Sequence, residues 1–144
     1  MGTWATGPFD NDNAADFAAD VRDRSDRDAR HDLLLATLRA GTEALPKADF
    51  SNDYSFGYEL EFAVAAAAFV SDEYTGCKKF TDISYARGVG DDMGLLPFVE
   101  FHPPSDELIS AAKIFIGRMV QSLQLAHIDE EWIKPINDIG FALV

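Results

Sequence analysis

The stretch from Tyr58 to Tyr74 most constrains the fold, because its centre, Phe62 to Val70, is apolar on nearly every side. A helix that lacks a polar face packs at the centre of a bundle, since any exposed side would place apolar groups in water. Four consecutive alanines, residues 65–68, allow neighbouring helices to approach closely. Gly76 is placed to end this helix. The apolar run is far shorter than the roughly 20 residues needed to cross a bilayer.

The N-terminal segment predicts a docked arm followed by a first helix. Trp4 and Phe9 carry enough apolar surface to hold the arm against a core. Asp10 and Asp12 are favourable residues for capping a helix, and their carboxylates complement the positive end of its dipole. We therefore predict a first helix of about three turns after these caps.

A second helix is predicted after a charged run, with Ser25 as its cap and an end near Gly41. In that run three acid–base pairs are spaced four residues apart with the acid first, the favourable order on a helix. The pairs are Asp20–Arg24, Asp23–Arg27 and Asp26–Arg30.

Two further helices are predicted in the C-terminal part of the chain. Ser105 is placed to cap the first of them, and Asp129 begins a short last helix that Pro135 is expected to kink or split. Residues 77–104, rich in glycine, are predicted to form a long loop. The predicted fold is all-α: a single domain over residues 1–144, a compact bundle of about four main helices plus a short C-terminal helix, with a docked N-terminal arm and one long loop.

The residues of the opening segment also resemble a known family. The pattern comprises Met1, Gly2, Trp4, Gly7, Phe9, Asp10, Asn11 and Asp12, followed by Ala14-Ala15-Asp16-Phe17. With the Ala-rich helix that contains Glu61, it is similar to a family of small bacterial proteins, domain of unknown function 4259. The resemblance implies a compact helical bacterial protein and supplies no catalytic residues.

The charge of the chain bears on its partners and its location. It has 25 acidic and 12 basic residues and a net charge of −13. Such a field repels nucleic acids and anionic membrane surfaces, and it speeds encounter with basic partners. We therefore expect no nucleic acid or membrane partner. A single cysteine and the absence of a signal-peptide pattern lead us to expect a cytoplasmic protein.

Candidate chemical groups are few. Glu61 lies inside the apolar helix, where an ionised carboxylate is costly without a partner, so we interpret it as a structural polar anchor that pairs with a basic residue or accepts hydrogen bonds from the N-terminal arm. A catalytic acid is the alternative. Cys77 is alone, which excludes a zinc site of paired spacing, and we interpret it as an inert thiol. No metal or cofactor is expected.

Two classes of function are compatible with these features. We favour a protein-interaction module, of the immunity, antitoxin or inhibitor kind, that binds a basic partner. A small enzyme or ligand-binding protein with an unrecognised site is the alternative, and the missing catalytic motifs count against the enzyme. The predicted partner surface mixes acidic and apolar side chains, as binding patches do, and the sequence leaves the oligomeric state undetermined. It consists of Asp91, Asp92, Met93, Leu95, Phe98 and Glu100.

Overall fold

The computed structural model describes residues 12–24, 26–50, 56–76, 80 and 103–144. Within these ranges the regular structure is entirely helical and has no strand, which confirms the predicted all-α bundle. The helices pack against one another through many contacts distant in sequence. They are α1 (Asp12–Asp23), α2 (Arg27–Ala44), α3 (Tyr58–Thr75), α4 (Asp106–Leu125) and α5 (Glu130–Ala142), and a short 3₁₀ turn (Leu45–Lys47) follows α2.

Helix α3 lies at the centre of the bundle, as its apolar sequence predicts. It contacts α1, α2, α4 and α5, and its most extensive contact is with α2. The four alanines are completely buried, as are Ala63 and Val70. Since every neighbour packs against this one helix, its small side chains set how closely the bundle can assemble. In the described part of the chain, no helix combines the length and the apolar character needed to cross a membrane.

The ends of three helices show how local residues determine them. Ser105 caps α4, and its Oγ accepts a hydrogen bond from the Leu108 amide at 3.1 Å, as predicted. Gly76 ends α3 in the left-handed conformation, with φ of +70°, also as predicted. The predicted cap of α2 is wrong by one residue, because Asp26 rather than Ser25 accepts the Asp28 amide.

None of the three predicted acid–base pairs lies within one helix, because α1 ends at Asp23 and α2 begins at Arg27. Asp20 and Arg24 do form an ion pair, at 3.5 Å. However, the break between α1 and α2 places Asp23 and Arg27 on different helices. Asp26 serves instead as the cap of α2.

The predicted end of α2 near Gly41 is also wrong. The helix continues to Ala44 and passes directly into the 3₁₀ turn. Gly41 is buried, and it faces Ala63 of α3 and Phe115 of α4. The glycine therefore permits close helix packing rather than ending a helix.

Pro135 lies inside the last helix without splitting it, so of the two predicted effects, a kink or a split, the split is wrong. Helix α5 runs through it without interruption from Glu130 to Ala142. Ile133, Ile136 and Ile139 on both sides of the proline are buried in the core. Packing of this apolar face compensates for the backbone hydrogen bond that proline cannot donate.

Candidate functional site

Most of the predicted site residues lie outside the described residues. These include the whole predicted partner surface, together with Cys77. Asp12 is the first residue of α1, but its side chain is not among those described. The residues outside are Trp4, Phe9, Asp10, Asp91, Asp92, Met93, Leu95, Phe98 and Glu100.

Glu61 is the one predicted anchor whose side chain is described. It is only 4% exposed, on the side of α3 that faces α1. Its Oε1 accepts a hydrogen bond from Asn13 Nδ2 at 3.0 Å. This bond links the beginning of α1 to the central helix, a geometry compatible with the predicted structural role.

Asp72 is a second buried carboxylate on α3, and it is not among the site residues predicted from the sequence. It is 2% exposed, and both of its carboxylate oxygens accept the Phe80 amide, at 3.1 and 3.0 Å. The contact holds Phe80 against the end of α3. The signal in the sequence was an aspartate at the end of an apolar run, four residues before a helix-ending glycine.

A first cleft, which we call the acidic cleft, lies where the end of α2 and the 3₁₀ turn meet the beginning of α3. Its volume is about 640 Å³. Three carboxylates and one lysine contribute charge to it, and two aromatic rings contribute apolar surface. These residues are Glu43, Asp49 and Glu59, Lys47, and Phe56 and Tyr58.

A second cleft, which we call the arginine cleft, lies where the beginnings of α2 and α4 meet the end of α3. Its volume is about 330 Å³. Arg27, Arg30 and His31 of α2 line it, with Glu73 of α3 and the cap residue Ser105 of α4. With Asp28 of α2, it contains two guanidinium groups, an imidazole, two carboxyl groups and a hydroxyl at the junction of three helices.

A chain of hydrogen bonds runs along one side of the arginine cleft. His31 Nε2 lies 2.8 Å from Ser105 Oγ, and His31 Nδ1 lies 3.3 Å from Asp32 Oδ1. When the Ser105 hydroxyl donates to Nε2, the ring carries its proton on Nδ1 and donates it to Asp32. The serine oxygen meanwhile accepts the Leu108 amide. These contacts position the imidazole and the hydroxyl relative to each other.

Glu73 has an unusual acidity in this setting. Burial raises its pKa from the ordinary value of 4.5 to about 7, because the ionised carboxylate loses solvation. The positive charges of Arg30, Arg27 and His31 lower the pKa but do not cancel this effect, and the neighbouring Asp72 raises it further. Near neutral pH the carboxyl is therefore present in both protonation states.

Comparison with known families gives one match. The model of the family described as domain of unknown function (DUF4259) matches residues 2–134. The chain belongs to the DUF4259 family. The matched range contains every residue named above for the acidic and arginine clefts and ends within α5. No curated protein and no solved structure matches the chain.

The described part of this DUF4259 protein contains no group of three or more histidine, cysteine, aspartate or glutamate side chains arranged to hold a metal ion. The side chains that line the arginine cleft offer hydrogen-bond donors, positive charge and proton exchange at Glu73.

The raised pKa of Glu73 predicts a pH-dependent stability. Between pH 4.5 and about 7 the folded state retains a proton that the unfolded state loses, so stability falls as pH rises through this window and is level above it. Glu73→Gln stays neutral and escapes this loss. At about pH 8 it should raise the free energy of unfolding by on the order of 1–2 kcal/mol, a value reduced for partial solvation of the carboxyl.

Denaturant melts at several pH values measure this effect. The advantage of Glu73→Gln should disappear below the ordinary pKa of 4.5, where the parent glutamate is protonated in both states. Glu59→Gln, an exposed change on the same helix, is the matched control and should leave the pH profile unchanged. Parallel profiles for the parent and Glu73→Gln would contradict the prediction.

Proposed function

We propose that this DUF4259 protein is a protein-interaction module that binds a basic partner. The observation that carries the proposal is the net charge of −13, combined with a cleft lined by three carboxylates and two aromatic rings. A strongly negative surface raises the rate of encounter with a positively charged protein, and an acidic cleft provides a site at which a basic side chain of that protein can bind.

The acidic cleft has the chemistry that receives a lysine or arginine side chain. Glu43, Asp49 and Glu59 outnumber the single cation, Lys47. Tyr58 is 59% exposed, so its ring is accessible to a cation approaching the cleft. A cation over an aromatic face gains about 0.5–2 kcal/mol in addition to its attraction to nearby carboxylates.

The aromatic side of the acidic cleft is held in place by ring contacts. Tyr58 packs edge-on against Phe62, with ring centroids 5.8 Å apart. Phe56 packs edge-on between Phe50 and Trp132, at 5.9 and 6.2 Å. Rings fixed before binding lose little conformational entropy when a partner arrives, which favours affinity. The support for a partner surface is thus both electrostatic and steric.

Small acidic immunity proteins, antitoxins and inhibitors bind targets that have basic surfaces. Targets of this kind are the partner classes that fit the proposal. The loop surface predicted from the sequence, with Asp91 and Asp92, remains a second proposed contact region. The acidic cleft and the predicted loop surface can both bind the same partner. Charge-reversal variants at each surface measure its contribution to the affinity.

The test begins with capture of a partner from the native host, followed by affinity measurements with the purified partner. The double change Glu43→Lys and Glu59→Lys should weaken binding by on the order of tenfold or more, because it replaces attraction with repulsion at the cleft. Binding by the parent should also weaken with added salt.

The matched control is Glu130→Lys with Glu131→Lys, an equal charge change on exposed residues at the start of α5. Equal losses in the control and the cleft variant would mean that net charge alone acts, without a cleft. A loss confined to Asp91→Lys with Asp92→Lys would assign the surface to the loop. Absence of any basic partner would overturn the proposal and leave the acidity as a contribution to solubility.

A further inference from the structure

The arginine cleft differs in character from the rest of this acidic protein. Two of its lining residues, Arg27 and Arg30, carry guanidinium groups and lie one helical turn apart at the start of α2. His31 follows directly, and the first turn of α4 borders the same cavity through Ser105. We propose that the arginine cleft binds the phosphate group of a small phosphate ester or inorganic phosphate itself.

Guanidinium groups suit this ligand because their planar N–H donors match the oxygens of a phosphate and keep their charge at every physiological pH. Arg30 is partly held already, since its Nη2 donates to the Arg24 carbonyl at 3.0 Å, near the end of α1. This bond orients the guanidinium without removing its charge. Arg27 is exposed and also lines the cleft.

Helix α4 adds a second source of attraction for an anion. The N-terminus of this 20-residue helix borders the cleft. At that end the helix dipole is positive, and the amides of the first turn have no partner within the helix. The cap contact of Ser105 and its bond to His31 place hydroxyl and imidazole beside this terminus. Helix termini with adjacent basic side chains are established phosphate sites.

Glu73 is the residue whose protonation state we expect to change when an anion binds in the cleft. With Glu73 ionised, the carboxylates of Glu73 and Asp28 balance the two arginines that line the cleft. Protonation of Glu73 leaves the cleft positive and turns its carboxyl into a hydrogen-bond donor. Because the pKa of Glu73 is about 7, this proton is available near neutral pH. Anion binding should therefore take up a proton and become tighter as pH falls.

The charged groups that face Glu73 bear on how this pH dependence is measured. Arg27, Arg30, His31 and Asp28 face it from α2, and Asp72 adjoins it on α3. From α4 and its cap the cleft is lined by Leu108 and Ser105, neither of which is ionisable in this range.

The size of the cleft favours a phosphate monoester over inorganic phosphate. A cavity of about 330 Å³ is at the small end of ligand sites and is larger than a phosphate ion. Leu34, Leu108 and Pro104 add apolar surface beside the charged residues. A small organic group joined to phosphate would cover that surface, so a phosphate monoester should bind more tightly than inorganic phosphate.

Isothermal titration calorimetry tests the proposal with inorganic phosphate and glycerol 3-phosphate at constant ionic strength. We expect saturable binding with a Kd of about 1 mM or tighter. Arg27→Ala, a change at an exposed residue, should weaken it at least about tenfold. Arg39→Ala is the matched control on the same helix, because Arg39 pairs with Glu107 outside the cleft, and it should bind as the parent does.

Sulfate separates protonation of the protein from protonation of the ligand, since it stays a dianion throughout. Its affinity should rise from about pH 8 to about pH 6, and Glu73→Gln should flatten this profile while His31→Gln preserves most of it. Tighter binding of the ester assigns the ester as ligand, and equal binding assigns inorganic phosphate. No saturable binding, equal affinities for the parent and Arg27→Ala, or acetate binding as tightly as phosphate would overturn the proposal.

Discussion

Replacement of Phe115 by alanine is expected to lower the free energy of unfolding by about 3–5 kcal/mol. Phe115 is completely buried, and its ring fills the space where α4 crosses Gly41 of α2 and Ala63 of α3. The loss combines the transfer of the ring to water with the cavity that remains, because the three helices can collapse only partly. It is a large share of the roughly 5–15 kcal/mol that stabilises a typical domain.

Denaturant melts followed by the helical circular dichroism signal measure this loss. Ile114→Ala is the matched control, since Ile114 precedes Phe115 on the same helix and is 46% exposed. We expect the control to lose no more than about 1 kcal/mol. Similar losses for the two variants would contradict the position of Phe115 at the centre of the bundle.

Gly41→Ala is expected to destabilise the protein by up to about 3 kcal/mol, although alanine is the better helix former. A Cβ at this position would overlap the Cβ of Ala63 and lie 2.9 Å from Phe115 Cε1. The phenyl ring can shift, but Ala63 is part of the rigid central helix. Helices α2 and α3 would therefore have to separate at their most extensive contact.

Two further variants distinguish this steric effect from a change in helix propensity. Gly117→Ala adds the same methyl group on α4, where none of the described residues beyond its own stretch of helix comes within 4 Å of it, and should be neutral or stabilising by up to about 1 kcal/mol. Ala63→Gly should restore part of the stability lost in Gly41→Ala, with a coupling energy of about 0.5–3 kcal/mol. A harmless Gly41→Ala, or strict additivity of the two changes, would refute the close contact.

The sequence was most informative where structure depends on neighbours in the chain. The apolar stretch of α3, the cap at Ser105 and the end at Gly76 follow from spacing and residue type over one or two turns. The prediction that α2 ends near Gly41 is wrong because a glycine has the same local sequence pattern in two different roles. It can end a helix, or it can allow a neighbouring helix to approach closely. Only the position of α3 and α4 distinguishes the two roles.

The arginine cleft was not predictable for a related reason. The residues that form it come from α2, α3 and α4, and the His31–Ser105 contact joins positions 74 residues apart. In the sequence, the two arginines belong to a charged run whose simplest interpretation is a solvated helix start. The raised pKa of Glu73 likewise arises from burial, which a single acidic residue near a helix end does not reveal.

The alanine run of α3 also determines where the entropy of folding is lost. Alanine has no side-chain rotamers to restrict, whereas each leucine or isoleucine buried in its place would lose about 0.5–1 kcal/mol of rotamer freedom. Residues 65–68 therefore order the middle of the bundle through backbone alone. More of the loss of rotamer freedom therefore occurs in the surrounding helices, whose long side chains fill the interior volume beside residues 65–68. Along residues 65–68 the central helix thus presents a smooth surface, and the choice of one packing arrangement at these positions depends on the neighbouring helices.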